Sequence, residues 1–570
     1  MNRTADSTGI RTSHSTSSEP ARKVTAALVF VASAISILFS LLNYPVIGHD
    51  AYVHLNWLYQ FPLLFSEGIA YPRWLPGSFG GFGAPTFYFY APLVYWLAGL
   101  FHLIGIHFPA ILYDATQRSF AVLSLATSYW LLRQYGGTKL RAFVGACMYS
   151  FLAYRFCDVY IRNALTEHAA LAFLPLVFLQ FKDRLASIAV LTLGWAGLFL
   201  TNLPTAYLAV LTVIVTIGTR RTPGLIASQA TAFVLAIAVA SVYLFPAFAL
   251  RDLIHQRHLF DLDMHTSQFG FVWLDLFHGH FDWLRILSIA TLIAGLLLLV
   301  FRFFRRQQWE RSQLSNWIWV LAIAIFFQLP IVSVPFWHLI PGMPFVQFSW
   351  RWNGILLLAI TILCCTQGGT ATATRSSLRN SILIGLALVT LASELTISRN
   401  LFRRPPLPIN SYLMDAPEYA TKWASNDPSE VIGITLRRMS DPPAVLLGLT
   451  APADSIYLLS RTPTEWRFEA NVSQPTPVRF HMFYWPYWEA FIGSAPRRVT
   501  PDPNGFMTVL LPPGHLEVML HLVPAPSQLV GRCVSTTGFL VFVVLCALAG
   551  YRSITTRRET TSPPELTRSV

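Results

Sequence analysis

From Tyr44 to Pro92 the chain reads YPVIGHDAYVHLNWLYQFPLLFSEGIAYPRWLPGSFGGFGAPTFYFYAP. This stretch directly follows a long apolar run, 24–44, yet it carries His49, Asp50, His54, Glu67 and Arg73 among closely spaced Tyr, Trp and Phe residues. A segment that merely joined two membrane helices would need neither the ionisable groups nor the aromatics. Residues 50–65 have the amphipathic, aromatic pattern of a helix lying in the membrane interface. Gly77, Gly80, Gly81 and Gly83, flanked by Pro76 and Pro85, exclude regular helix beyond it. The stretch 45–85 is therefore expected to be a structured outer loop that forms one wall of a cleft, with other outer segments supplying the rest.

The whole chain supports a membrane setting. Of its 570 residues, 54% are hydrophobic and only 12% charged, and the mean hydropathy is +0.48. A soluble domain carries about 25% charged residues, and apolar runs of about 20 residues recur along this chain, which marks a polytopic helical membrane protein. The net charge of +13 would point to nucleic acid in a soluble protein. Here the basic residues gather in short loops and tails, such as Arg22 and Lys23, Arg302, Arg305 and Arg306, and Arg557 and Arg558. That is the positive-inside pattern, so the charge reports topology and no nucleic-acid partner is expected. The six cysteines lie in or beside apolar runs and show neither a disulfide framework nor metal-type spacing. No phosphate-binding or dinucleotide-binding glycine motif is present, so ATP-driven chemistry has no support.

Read in order, residues 1–21 are a Ser/Thr-rich, disordered cytoplasmic tail. Residues 22–398 form the transmembrane domain, 399–530 an extracytoplasmic β-rich domain, 531–552 a C-terminal membrane helix and 553–570 a cytoplasmic tail. Apolar runs at 24–44, 86–106, 116–134, 139–157, 167–181, 185–201, 204–219, 226–248, 284–304, 314–333, 352–370, 380–398 and 534–550 give about 13 spans. The charges of the loops test that count. With Arg557 and Arg558 inside, the basic loops 375–379, 302–311, 220–221, 182–184 and 133–141 all fall inside as well. One conflict remains: 45–85 and 107–115 both belong outside, with the single run 86–106 between them. Either a re-entrant element between 86 and 135 or two later runs forming one span would resolve it, and the loop charges place the fault near 86–115. Outer segments then include 158–168, the His- and Asp-rich 249–283, and 334–351. Within 399–530, short alternating runs at 466–470, 478–484, 506–511 and 516–522, separated by Pro503-Asn504-Gly505 and Pro512-Pro513-Gly514, read as an antiparallel β-sandwich.

Several ionisable residues fall where chemistry or structure could use them. Asp50, with His54 one helical turn later, could accept a proton from a hydroxyl or join a cation site; the structural alternative is an N-cap. Arg73, in Tyr71-Pro72-Arg73-Trp74, suits a phosphate, whereas Glu67 reads as a solvated loop charge. Arg162, Glu167 and His168 cluster at the outer end of a run, where capping and snorkelling compete with function. Arg351, between Trp350 and Trp352, could meet a lipid phosphate or anchor an aromatic belt. In the 249–283 stretch, His255-x2-His258 and His278-x-His280 are not tight ligand motifs, and a solvated loop is the simpler reading.

Gly48-His49-Asp50, Tyr71-Pro72-Arg73-Trp74, Gly80-Gly81-Phe82-Gly83 and Phe89-Tyr90-Ala91-Pro92-Leu93 together resemble bacterial membrane proteins labelled 6-pyruvoyl-tetrahydropterin-synthase-related. Those proteins look like relatives of the GT-C glycosyltransferases. Tyr243-Leu244-Phe245-Pro246-Ala247, Phe348-Ser349-Trp350-Arg351-Trp352 and the Tyr484-to-Ala490 segment agree with the resemblance, which covers most of 24–530. It implies a GT-C-like fold in the inner (plasma) membrane, with a small outer-face β-sandwich near the C-terminus. It also implies a glycosyltransferase that moves a sugar from a polyprenyl-phosphate lipid to a glycan or lipid acceptor of the cell envelope. By position Asp50 matches the acid of the family's first outer loop. The family's paired acids are here replaced by His49-Asp50, which leans toward a metal-free base and leaves a divalent cation as an open cofactor expectation. On this reading Asp50 and Glu167 are catalytic, and His54, Arg73, Arg162, His168 and Arg351 bind substrate. The rival readings are a transporter or flippase of lipid-linked glycans, and a non-catalytic scaffold of the same fold.

Overall fold

Crossing about 30 Å of hydrocarbon takes about 20 helical residues at 1.5 Å each. In the computed structural model, which describes residues 18–41, 48–218, 222–255, 282–304, 314–366, 373–401, 415–425, 427, 430–431, 433, 449–450 and 456–561, six helices meet that length with sufficient apolar character. They are Pro20–Phe39, Arg184–Thr201, Pro223–Ala249, Trp283–Phe304, Ser377–Arg399 and Pro526–Thr555. Shorter apolar helices, among them Leu203–Gly218, Ser315–Phe326 and Ser349–Cys365, pack between them. The chain is thus a mostly helical membrane protein with a C-terminal β region. The count of about 13 spans is not carried by these helices. The 256–281 part of the His- and Asp-rich stretch and most of the N-terminal tail lie outside the described residues.

The expected span 86–106 does not form, and Pro92 and the preceding short turn explain why. Residues Thr86–Phe89 make one helical turn, Tyr90 is extended, and only Leu93–Leu103 continues as helix. Eleven residues reach about 16 Å, half the hydrocarbon thickness. This short helix packs on Ala51–Ser66. The next helix, Pro109–Gln134, is 26 residues long and starts earlier than the apolar pattern suggested. Removing 86–106 as a span also removes the one conflict in the alternation of basic loops.

The chain breaks again after the Lys139–Phe151 helix. Ala153 has φ 52°, and a wider π-type turn runs from Cys157 to Arg162. Such turns are frequent at functional sites; here it brings Asp158 and Arg162 onto one side.

The β region consists of two antiparallel sheets. One has the order β1 (Leu449–Thr450), β4 (Thr476–Phe483), β8 (Phe506–Leu511), β7 (Val499–Pro501); the other β2 (Ile456–Arg461), β3 (Glu465–Val472), β9 (Gly514–Leu522), β5 (Trp488–Ile492), β6 (Ala495–Arg497). Alternate residues of β3 are buried, with Trp466, Phe468 and Ala470 facing Val478 and Phe480 in the core, as a one-sided sheet requires.

The glycine-rich part of the first loop ties this region to the membrane domain. Positive φ at Gly80, Gly81 and Gly83 turns the chain back so that Leu75 pairs with Ala84. Phe82 is then pushed against Phe483 and Phe506, and its carbonyl accepts from Phe483 N at 2.8 Å. Trp74 meets Trp488 and Tyr88 meets Trp485 edge to face or tilted. The aromatics of the loop are thus packing residues in large part.

Candidate active-site cleft

Asp50 is placed by backbone fit. Its N–H donates to Arg162 O at 2.8 Å, His49 N to Ile161 O at 3.3 Å, and Gly48 N to the Asn163 side chain. Asn163 is in the left-handed region (φ 57°), which closes the π turn against residues 48–50. A Cβ at Gly48 would lie 2.2 Å from Asn163 Oδ1 and 2.3 Å from Ile161 O, so only glycine permits this approach.

Asp50 occupies the N-cap position of the Ala51–Ser66 helix, but its side chain makes no capping bond. Two other aspartates in the same helical position do cap: Asp282 accepts from Arg285 N at 2.9 Å, and Asp183 from Leu185 N at 2.9 Å. Capping therefore does not account for Asp50. Its carboxylate instead lines a cleft of about 910 Å³, within the size range of small-molecule sites.

The cleft brings distant segments together. His54, Arg162 and Arg351 share its wall with Asp50, as do Trp57, Tyr90, Tyr243 and Tyr419. Asp282 and Arg285 also line it, and they pair with each other at 2.7 Å. His54 is buried, and its Nδ1 lies 2.7 Å from the Tyr95 hydroxyl. Burial pushes the imidazole pKa down to about 4; Arg162 adds to this and Asp50 opposes it. His54 is thus neutral at physiological pH and cannot offer a cation to a phosphate.

Glu167 sits just behind the wall, 2% exposed, and is not on the lining. Its Oε2 is 2.9 Å from Arg162 Nη1 and 3.2 Å from Arg351 Nε, and its Oε1 accepts from the Tyr154 hydroxyl at 2.6 Å. Arg162 also reaches Asp158 at 2.6 Å. Both guanidiniums are therefore held by one buried carboxylate, and removing one partner of such a pair leaves an uncompensated charge. Arg351 is fixed further by Val346 O at 2.9 Å and Gln347 Oε1 at 3.0 Å. A γ-turn with φ 64° at Gln347 supplies those acceptors, a rare backbone state of the kind found at ligand sites.

Three expected site residues are not brought to the cleft. Arg73 is 4% exposed, donates from Nη2 to Val242 O at 2.6 Å, and stacks 3.8 Å from the Tyr71 ring. It docks the loop onto the Pro223–Ala249 helix. His168 is buried, its carbonyl accepts from Arg155 at 2.8 Å, and it is not on the cleft lining. Glu167, expected to be catalytic, lies behind the lining and contacts Arg162 and Arg351. Glu67 is exposed at the end of its helix.

Sequence reasoning missed Glu418 and Tyr419, which reach the cleft from beyond the last long helix of the membrane domain. They are carried by Asp415, whose carboxylate accepts from Trp57 Nε1 and Thr86 Oγ1, both at 3.0 Å, and from Ala416 N at 2.7 Å. Burial raises the Asp415 pKa to about 6 despite those donors. No local signal marks this pairing, since the partners lie more than 300 residues apart.

Among the described residues, no group of three or more His, Cys, Asp or Glu side chains is placed to hold a metal ion.

No protein-family model matches the chain, so membership of the 6-pyruvoyl-tetrahydropterin-synthase-related family is not established, and no curated protein matches it either. Among solved structures it is similar to the single-particle cryo-EM structure of arabinofuranosyltransferase AftD from Mycobacteria, at 16% identity over 67% of this chain, with a TM-score of 0.39. The chain spans 27% of that protein's chain. A likeness of this size assigns neither substrate nor residue roles.

Proposed function

We propose that the chain is an integral-membrane glycosyltransferase of the inner membrane that uses a polyprenyl-phosphate-linked sugar and glycosylates a cell-envelope acceptor on the outer face. The observation that carries this reading is the opposition, in one cleft, of the non-capping Asp50 carboxylate and the Arg162–Arg351 pair. The exposed apolar side chains of Phe336, Leu339 and Phe345 stand near Arg351 in the chain, where a lipid tail would need to enter. Phe345 is itself on the cleft lining.

In the proposed reaction Arg351 and Arg162 face the lipid phosphate. Guanidinium groups suit phosphate oxygens, and ordering by Glu167 lowers the cost of positioning them. Asp50 accepts the proton of an acceptor hydroxyl as its oxygen bonds to the anomeric carbon. The bond from that carbon to the phosphate oxygen breaks, and the lipid phosphate leaves with the electron pair. Proton transfer to a positioned carboxylate contributes about 10²–10⁴-fold to such steps. Neutral His54 and the Tyr95 hydroxyl shape the floor beside Asp50 rather than carrying charge.

The test is transfer of radiolabel from a panel of polyprenyl-phosphate sugars to extracted envelope glycans and lipids, using the purified full chain in lipid nanodiscs. Label should move from at least one donor in a protein-dependent manner. Release or movement of intact donor across vesicles without transfer would overturn the reading in favour of a transporter.

A further inference from the structure

The helices Pro109–Gln134 and Lys139–Phe151 pack against each other across a short turn. Gly136, at φ 84°, and Thr138, whose side chain accepts from Arg141 N at 3.4 Å, reverse the chain there. On the first helix Val122, Leu125, Ala126 and Tyr129 recur three and four residues apart, so they form one stripe. On the second, Leu140 and Phe143 share a face. Between them lies a furrow of about 580 Å³ on the outside of the bundle, where Val122, Leu140 and Phe143 are all exposed. Ala126 is the small residue of the stripe and is exposed as well, so a larger side chain there would fill the furrow.

One end of the furrow is basic. Lys139 lines it, is exposed, and makes no ion pair among the described residues. Arg133, in the last turn of the first helix, is exposed and places one nitrogen on Gly137 O at 2.7 Å. Arg141 stands close enough to Arg22, at the start of the first membrane helix, to feel its charge. Three helix ends thus bring cations to the face that the loop charges assign to the cytoplasm. Tyr129 stands towards that end of the stripe, and an amphipathic Tyr suits the level where acyl chains give way to head groups. A free anion would meet the cations and leave the apolar furrow exposed. A neutral lipid would fill the furrow and leave the cations unopposed. An anionic lipid satisfies both at once.

We propose that this furrow binds an anionic phospholipid of the cytoplasmic leaflet, with Lys139 and Arg133 facing its phosphate and an acyl chain lying along the Val122–Tyr129 stripe. Basic pockets between membrane helices on the cytoplasmic side hold acidic head groups in this way. None of the furrow residues lines the cleft that holds Asp50, and the site does not depend on the glycosyltransferase reading.

The test titrates phosphatidylglycerol, with phosphatidylcholine as the neutral control, into the delipidated full chain in detergent and counts bound lipid by native mass spectrometry. Wild type should hold phosphatidylglycerol in preference to phosphatidylcholine, with a raised unfolding temperature, as a ligand of the folded state requires. Lys139→Gln should weaken phosphatidylglycerol binding by about fivefold, the worth of one cation near a membrane surface. Ala126→Phe keeps every cation but fills the furrow, and should lose the retained lipid while its lipid-free unfolding temperature matches that of the wild type. Equal retention of the two lipids by wild type, or undiminished phosphatidylglycerol binding by either variant, would overturn the site. So would a dimer that Ala126→Phe turns into a monomer, since the furrow would then be a protein interface.

Discussion

The two halves of the first loop carry the same kinds of residue and do different things. In 48–57, Asp50 faces a cleft and forms no capping bond, while Gly48 and the 161–163 turn hold its backbone. In 71–92, Arg73 is sealed under a helix carbonyl and a tyrosine ring, and the aromatics grip the β region. An ionisable residue among aromatics is therefore not in itself a site. What separates the two is where the side chains end: Arg73 is buried against Val242 O and the Tyr71 ring, whereas Asp50 lines the cleft and is placed by its backbone.

That contrast can be broken by substitution. The largest stability effect is expected at the hub behind the cleft. Glu167→Gln leaves Arg162 and Arg351 without their shared carboxylate and should cost about 3–5 kcal/mol, read as a lowered unfolding temperature, together with lost transfer. Arg73→Met should cost about 1.5–3 kcal/mol, the worth of a charged hydrogen bond, while transfer per folded molecule stays at the wild-type level. If Arg73→Met instead lost transfer at normal stability, the loop's second half would belong to the site.

The smallest effect is a pair of opposing pH dependences. Asp415 has its folded pKa raised from 3.8 to about 6, so the folded state holds the extra proton and stability falls as pH rises across that window. His54 is lowered from 6.5 to about 4, so stability rises with pH over its window. The two nearly cancel in the wild type. Asp415→Asn removes one of them, and its unfolding temperature should climb more steeply between pH 4 and 6.5 than that of the wild type. A flat profile for the variant would show that His54 is not buried neutral.

Much of the architecture was legible because membrane helices and alternating strands write their burial into short windows of sequence. The strands expected at 478–484 and 506–511 match Thr476–Phe483 and Phe506–Leu511. The apolar run at 86–106 misled because composition alone does not register the break at Tyr90–Pro92, although the loop charges flagged it. At the site, Asp50, Arg162 and Arg351 could be singled out from their positions at the ends of apolar runs. His168 shares those surroundings, and only its place off the cleft lining sets it apart. Glu418 and Asp415 were invisible because the contacts that place them join segments more than 300 residues apart.

The central claim is that Asp50 is held in place for chemistry and contributes nothing as a cap. It is tested most directly by comparing sugar transfer and unfolding temperature for wild type and Asp50→Asn. The account predicts that the variant unfolds at the wild-type temperature and loses transfer by about 10²–10⁴-fold, the range for a removed general base. Full transfer by the variant, or a loss of activity that merely follows a loss of stability, would contradict it.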